Sequence, residues 1–370
     1  MPATPRAARL GGRCCNAQTA EDGALTRPPL PDAPIAYEDP GLRGGEPCAI
    51  LPGLYGLRLE LPFALDHVNI WLCAERDGWT AIDAGLADER TRERWADLRG
   101  GLLADRPLAR VLATHYHPDH MGLAGWLCRE TGAELWSSRT EWLLARLYAQ
   151  DVSDEWVAAG RRFDRRAGLD AALVDERAAR GNLYRHRVVP PPGSFRRVQD
   201  GDRLRLGDAE WRVIVGRGHA PEMVCLFDAA RNVLIAGDQV LPRISPNVSV
   251  WPSEPEADPL TDFLGSLVHF RELPDDCLVL PSHGLPFRGL RARIDQLIAH
   301  HEERLAATLD ACAAPATVAE VIPRLFDRAL DRHQLQFALG ESLAHLNHLV
   351  ERGELVARLD GDGSVRFRRR

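Results

Sequence analysis

Short apolar runs bounded by turn residues recur along the chain from about residue 47. Runs at 57–61, 68–73 and 79–83 read as strands, with Asp77-Gly78 as a hairpin turn between the last two. Residues 87–105 carry the spacing of a charged amphipathic helix. The apolar run 108–113 reads as a buried strand that leads straight into Thr114-His115-Tyr116-His117-Pro118-Asp119-His120, and 121–128 reads as a helix after it. Residues 139–181 differ in character. Trp142, Leu143, Leu144, Leu147, Trp156, Val157 and Phe163 fall there at helical spacings with Arg and Asp between them, which predicts two or three helices inserted between strand regions. Strands resume at 203–206 and 210–215, flanking the turn Gly207-Asp208, and again at 224–227 and 233–235. A helix is predicted over 259–272, a strand over 277–280 and a long helix over 289–311.

The pattern changes near residue 312. Helical stretches at 317–329 and 340–351 precede an apolar run at 355–359, the turn Asp360-Gly361-Asp362-Gly363 and a last run at 365–367. Helices followed by a small hairpin match a winged-helix-like module, placed over 301–370. Residues 1–46 are rich in Pro, Gly, Ala and Arg without periodicity and read as disordered or loosely packed. The main domain is then 47–300, with the helical insertion at 139–181.

Composition narrows the class. A chain of 370 residues, 45% hydrophobic and 27% charged, has the material for a globular core. Its formal net charge of −7 gives no bulk attraction to a polyanion. Residues 302–370 are balanced between Arg and acids, and the helix around 341–351 is not a basic recognition helix, so nucleic acid is not the expected partner. Packing against the main domain or a partner subunit is the expected role of the module, with a homo-oligomer through it as one form. The cysteines Cys14, Cys15, Cys48, Cys73, Cys128, Cys225, Cys277 and Cys312 contain no C-x-x-C pair, which argues against a thiolate metal site. Free thiols in a reducing cytoplasm are the expectation. No apolar run approaches the ~18 residues of a membrane span, and no secretory h-region is present, so no membrane partner is expected.

The chemistry concentrates in His115-x-His117-x-Asp119-His120. Three imidazoles and a carboxylate so close in sequence cannot share one helix face, but on a strand-to-helix loop they can converge. Imidazole with carboxylate suits zinc, iron or manganese, and a catalytic site leaves one position open for water. His219 in Gly218-His219-Ala220-Pro221, Asp238 in Gly237-Asp238 and His283 in Ser282-His283-Gly284 each stand at a strand end beside Gly or Pro. Each alone reads as an ordinary loop residue; their placement relative to the cluster raises them. His300, His301, His345 and His348 read as structural, and His67 as a strand-edge residue. Among the residues after Asp238, Arg243 is the candidate for binding an anionic substrate group, with Ser245 and Asn247 also within reach.

These motifs, with Trp79-Thr80-Ala81-Ile82-Asp83-Ala84-Gly85, resemble the metallo-β-lactamase superfamily over about residues 47–300. The resemblance implies an α/β fold of the αββα sandwich type with the metal site at one edge of the two sheets. It implies His115, His117 and His219 on a first metal, Asp119, His120 and His283 on a second, and Asp238 bridging them. Many relatives carry a second His where this chain has Met223, which should alter the pocket lining. An aspartate at 238 looks like glyoxalase II, lactonases and related esterases, while His117 stands where the redox diiron branch carries Glu.

The expected activity is therefore metal-dependent hydrolysis of an ester, thioester or lactone of a small molecule. Two ions, zinc with iron or manganese as substitutes, would generate hydroxide at neutral pH and polarise the carbonyl. Asp119 would orient the nucleophile or take up its proton, and Asp83 would fix the tautomer of a ligand His. Alternatives are a ribonuclease of the same superfamily, a mono-iron persulfide-dioxygenase-like oxidoreductase and a metal-bearing binding protein without turnover. The insertion at 139–181 is placed to act as a lid.

Overall fold

The computed structural model describes residues 35–370. The first strand, β1 (Ala36–Tyr37), lies at the edge of a sheet built from the second half of the chain. The first half forms a sheet in sequential order from β2 (Cys48–Leu51), β3 (Leu54–Glu60), β4 (His67–Ala74), β5 (Trp79–Ile82), β6 (Leu108–Leu112), β7 (Glu134–Ser137) and β8 (Arg196–Arg197). Neighbours from β2 to β5 are antiparallel, and from β5 to β8 parallel. Parallel neighbours need long crossovers. Here they carry α1 (Glu89–Gly100), then α2 (Pro118–Met121) with α3 (Ala124–Thr131), then the inserted helices α4 (Arg139–Gln150), α5 (Asp154–Arg166) and α6 (Ala171–Ala179).

The second sheet adds β9 (Arg203–Leu206), β10 (Ala209–Gly216), β11 (Met223–Asp228), β12 (Val233–Gly237), β13 (Leu278–Pro281) and β14 (Phe287–Arg288), with α7 (Pro259–Arg271) crossing between β12 and β13. Alternation along β10 sets the layers. Trp211, Val213 and Val215 face the other sheet and pack with Trp71, Ile82 and Leu112, while Ile214 joins the outer layer of helices. Strands β11 and β12 are buried on both faces, which is why they read as unbroken apolar runs. The architecture is the expected αββα sandwich.

Then follow α8 (Leu290–Ala311), α9 (Val318–Leu325), α10 (Arg332–Glu351) and a hairpin of β15 (Leu355–Leu359) and β16 (Val365–Arg369). Helix α8 runs unbroken across the expected boundary at 300/301, and its Leu290, Ile294 and Leu297 belong to the core. Helix α10 begins eight residues before the predicted 340 because Asp331 and Gln334 form a capping box. Its Asn347 side chain donates to the Pro255 and Ala257 carbonyls at 3.2 and 2.9 Å, and His348 meets Asp258 at 3.1 Å.

One boundary needs correction. Of the segment read as loosely packed, residues 1–34 lie outside the described residues, but the rest is ordered. Ala36 and Tyr37 pair with Arg288 and Phe287, and Leu42 is fully buried between the sheets. A two-residue edge strand gets its hydrogen bonds from a partner about 250 positions away and leaves no periodic signal of its own. Among the described residues no helix is long and apolar enough to cross a membrane, and the six described cysteines are free, all but Cys48 of them buried.

Candidate metal centre

Strands β5, β6, β10, β12 and β13 all end at the same edge of the sandwich, and each hands the chain to a loop that carries a site residue. Asp83, just past β5, adopts a left-handed backbone with φ 68°. Its carboxylate accepts from the Thr114 backbone N–H at 2.7 Å, from Thr114 Oγ1 at 2.9 Å and from His120 Nδ1 at 2.8 Å. Thr114 Oγ1 lies 3.0 Å from His115 Nδ1. With the hydroxyl proton given to Asp83, the hydroxyl oxygen accepts the His115 Nδ1–H. One carboxylate thus fixes the tautomers of both His115 and His120 and leaves each Nε2 lone pair for the site.

Two backbone carbonyls do the same for His219 and His283. His219 Nδ1 donates to the Asn247 carbonyl at 2.8 Å, and His283 Nδ1 to the His67 carbonyl at 2.6 Å. His67 Nε2 in turn accepts from the Gly284 N–H at 2.8 Å, so the first residue of β4 clamps the His283 loop. The loop of Asn247 is held from the C-terminal side. The Val250 N–H donates to the Gly340 carbonyl at 3.1 Å, and Asn247 Nδ2 approaches the Glu341 carboxylate at 3.4 Å. A Cβ at Gly340 would lie 2.8 Å from Ser249 Oγ, so glycine permits this close approach.

The donor atoms then fall into groups. His115 Nε2, His117 Nδ1 and His219 Nε2 are 2.9, 3.1 and 3.3 Å apart. A tetrahedron of nitrogens ~2.0–2.1 Å from a zinc has edges of about 3.3 Å. Asp119 Oδ2 stands 3.5 Å from both His120 Nε2 and His283 Nε2. Asp238 Oδ2 lies 3.3 Å from His219 and His283 Nε2 and 3.5 Å from His120 Nε2. All ligand candidates of the sequence are therefore brought together, in the groups His115–His117–His219, His115–His120–Asp238 and Asp119–His120–His283. His120 Nε2, His283 Nε2 and Asp238 Oδ1 are buried without a hydrogen-bond partner. Buried polar atoms are rarely left so, and ring lone pairs that face one another fit a cation between them.

The electrostatics agree. Burial, reinforced by the neighbouring imidazoles, holds His115 and His117 well below the usual histidine range, so both are neutral donors. Burial opposes charge on Asp238 too, but His283 and His120 outweigh it and keep the carboxyl ionised. His120 is driven up against its own burial by Asp119, Asp238 and Asp83. Without a cation the acids pull a proton onto His120; a cation would take that place.

Several functional side chains left no mark in the sequence. Glu141 of α4 is fully buried, and its carboxylate accepts from the Tyr116 N–H at 2.9 Å and the Glu222 N–H at 2.6 Å. Tyr184 Oη donates to the Tyr116 carbonyl. The insertion thus braces the loop between His115 and His117, and through Glu222 the loop that follows His219. Gly122, at the end of α2, admits the chain where any Cβ would collide with the Pro118 and Gly85 carbonyls. Arg243 is exposed and lies 4.9 Å over the Tyr37 ring at the sheet edge. One expectation is corrected. Met223 does not line a pocket: it is fully buried beneath Gly237.

An αββα sandwich with a His/Asp cluster at the strand ends of both sheets defines a metal-binding hydrolase scaffold. The superfamily model described as "Metallo-beta-lactamase superfamily" matches residues 64–283, and one described as "Metallo-beta-lactamase-like, C-terminal domain" matches 305–370. The chain belongs to the metallo-beta-lactamase superfamily. It is similar to the crystal structure of a beta-lactamase domain protein from Burkholderia ambifaria, with 42% identity, a TM-score of 0.84, and coverage of 91% of this chain and 98% of that one. It is 23% identical to "Probable metallo-hydrolase YqjP" of Bacillus subtilis (strain 168), over 83% of this chain and 95% of the relative. It is 31% identical to "Acyl-coenzyme A thioesterase MBLAC2" of Gallus gallus, over 51% of this chain and 63% of that protein.

Proposed function

We propose that the chain is a small-molecule acyl hydrolase that cleaves an ester, thioester or lactone bond with two divalent cations, zinc in preference to iron or manganese. The observation that carries this reading is Asp238. Its Oδ2 stands 3.3 Å from His219 of one ligand group and 3.3 and 3.5 Å from His283 and His120 of the other. A carboxylate so shared suits a paired-cation site. The thioesterase relative supports a thioester as the first substrate to try.

Cations held by these groups supply Lewis acidity to a carbonyl oxygen and lower the pKa of bound water to about 7. The chain's own residues do the rest. Asp83 and the Asn247 and His67 carbonyls fix the tautomers of His115, His120, His219 and His283, so these donors are set before substrate arrives. Asp119 is the more open acid, its side chain 18% exposed against 7% for Asp238. From that position it takes up the proton released as water adds to the acyl carbon.

Elemental analysis of purified protein and a panel of thioesters, esters, lactones and single-stranded RNA test the reading. The expected result is about two metal equivalents, mostly zinc, with turnover of an acyl substrate that a chelator abolishes and zinc restores. A single iron would favour the dioxygenase-like chemistry, and cleavage of RNA alone a nuclease; either outcome sinks the proposal.

A further inference from the structure

Beside the cluster, side chains from three distant parts of the chain meet around one guanidinium. Arg187 follows the insertion. Its carbonyl accepts from the Ala87 N–H at 3.1 Å, and two residues on, the Val189 N–H donates to the Gly122 carbonyl at 2.8 Å. The backbone of Arg187 is thereby tied to the segment that carries Asp119 and His120. Its guanidinium carbon lies 4.7 Å from the ring centroid of Phe63, in the loop between β3 and β4. Phe63 stacks on His333 of α10, centroids 5.0 Å apart and planes within 10°. His333 Nε2 accepts from Arg187 Nη1 at 3.4 Å, and Phe337 packs edge-on against His333 at 4.9 Å.

This arrangement is unusual for a half-buried cation. Arg187 forms no ion pair with a carboxylate among the described residues, although Asp119 lies close enough to act on its charge. Its neighbours are an aromatic face and an imidazole that burial and Arg187 itself keep neutral. An arginine stays protonated in such surroundings. Its remaining N–H groups form a planar fork suited to two oxygens of one anion. The aromatic wall leaves that fork partly desolvated, which strengthens its pull on an anion.

We propose that Arg187, walled by Phe63 and His333, is a subsite for an anionic group of the substrate, a phosphate or a carboxylate, held while the acyl bond lies over the metal cluster. The proposal rests on the acyl-hydrolase reading. It gives the C-terminal helix α10 a part in substrate choice, because His333 and Phe337 complete the wall. The anion has two possible sources: the leaving group, as in a phosphate-bearing thiol, or the acyl chain, as in a dicarboxylic half-thioester.

Binding isotherms with non-hydrolysable thioether analogues test it. Three probes share one acyl length: a coenzyme A thioether, a neutral N-acetylcysteamine thioether, and an N-acetylcysteamine thioether with a terminal carboxylate on the acyl chain. Full-length, zinc-loaded wild type, Arg187→Gln and Arg187→Lys are compared, with melting temperature and metal content reporting on folding. Wild type is expected to bind one anionic probe about 10- to 100-fold more tightly than the neutral one, the worth of a charge-assisted hydrogen bond. Arg187→Gln should lose that preference and Arg187→Lys keep part of it. Preference for the coenzyme A probe assigns the anion to the leaving group; preference for the carboxylated probe assigns it to the acyl chain. Absence of preference in wild type, or its survival in Arg187→Gln, overturns the subsite. If wild type cleaves no ester, thioester or lactone yet shows an Arg187-dependent preference, the subsite stands and the hydrolase reading falls.

Discussion

Replacing Asp83 by Asn isolates the control of the His120 tautomer. Asparagine has the same shape and tolerates the left-handed backbone found at this position, φ 68°. In the wild type one carboxylate oxygen accepts from the Thr114 N–H at 2.7 Å and the other from His120 Nδ1 at 2.8 Å. Asparagine has only one oxygen. The Thr114 N–H is buried and has no other acceptor, so the amide oxygen turns to it and the NH2 group faces His120. Two donors then oppose each other. His120 escapes by moving its proton to Nε2, the atom it turns toward Asp119 and Asp238. Keeping the ligand tautomer forfeits a charge-assisted hydrogen bond of ~1.5–3 kcal/mol, or about 10- to 100-fold in metal affinity. The group of His115, His117 and His219 is spared, because Thr114 Oγ1 can still donate to the amide oxygen. The assay is zinc titration against a competing chelator, with bound metal measured by elemental analysis and kcat at fixed free zinc. One tight site should survive, the second should weaken by that factor, and activity at limiting zinc should fall with it. Wild-type affinity at both sites, or selective loss of the first, would refute the reasoning.

Other predictions follow from the same geometry. Asp238→Ala should cost at least about 100-fold in kcat/KM together with one metal equivalent, since a ligand matters more than the outer-shell groups worth 10–100-fold; intact metal content and activity would remove the shared carboxylate. Glu141→Ala leaves the Tyr116 and Glu222 N–H groups without acceptors, so denaturant unfolding should show a loss of about 2–6 kcal/mol and weaker zinc binding. Glu341, pushed up to about 7 by burial, adds a pH dependence. Its folded value lies above the unfolded one, so its ionisation cost is absent at low pH and grows as pH rises from about 4.5 to 7, reaching roughly 3 kcal/mol. Glu341→Gln lacks that cost, and its stability relative to wild type should rise across this window. The half-buried His300 and the buried His345, both held down to about 4, cost stability as pH falls from about 6.5 toward 4, but they do so equally in both proteins and cancel in the comparison.

The candidate metal centre is held both from the insertion side and from the C-terminal helix. Glu141 of the insertion holds Tyr116 by its N–H, and Tyr184, just beyond the insertion, holds its carbonyl. The C-terminal helix holds the loop whose Asn247 carbonyl orients His219. Ligand rings placed by such outer contacts keep their geometry without relying on the metal itself. The insertion, expected as a lid, braces the ligand loops through Glu141, and helix α10 would form one wall of the proposed Arg187 subsite.

The sequence by itself determined the scaffold and the donor set. Apolar runs, Gly and Pro at their ends, and His or Asp just beyond them are local signals that named His115, His117, Asp119 and His120; His219, Asp238 and His283 were raised by their placement relative to that cluster and by the family resemblance. Asp83, which alone reads as a strand-end cap, was named through the resemblance of Trp79–Gly85 to the superfamily's early strand. What only the tertiary structure decided are relations between segments far apart. Glu141 reads in sequence like any first-turn helix acid; its burial beneath two ligand loops depends on how α4 docks. Arg187 and His333 lie 146 positions apart, and no periodicity links them. Arg243 has the right residue type near the right motif, yet the edge strand β1 draws it onto Tyr37. Strands β1, β8 and β14, of two residues each, exist because a partner offers hydrogen bonds. Local pattern encodes the elements and their ends, whereas charge placement, second partners of ligand rings and the walls of the substrate site arise only when separate elements pack together.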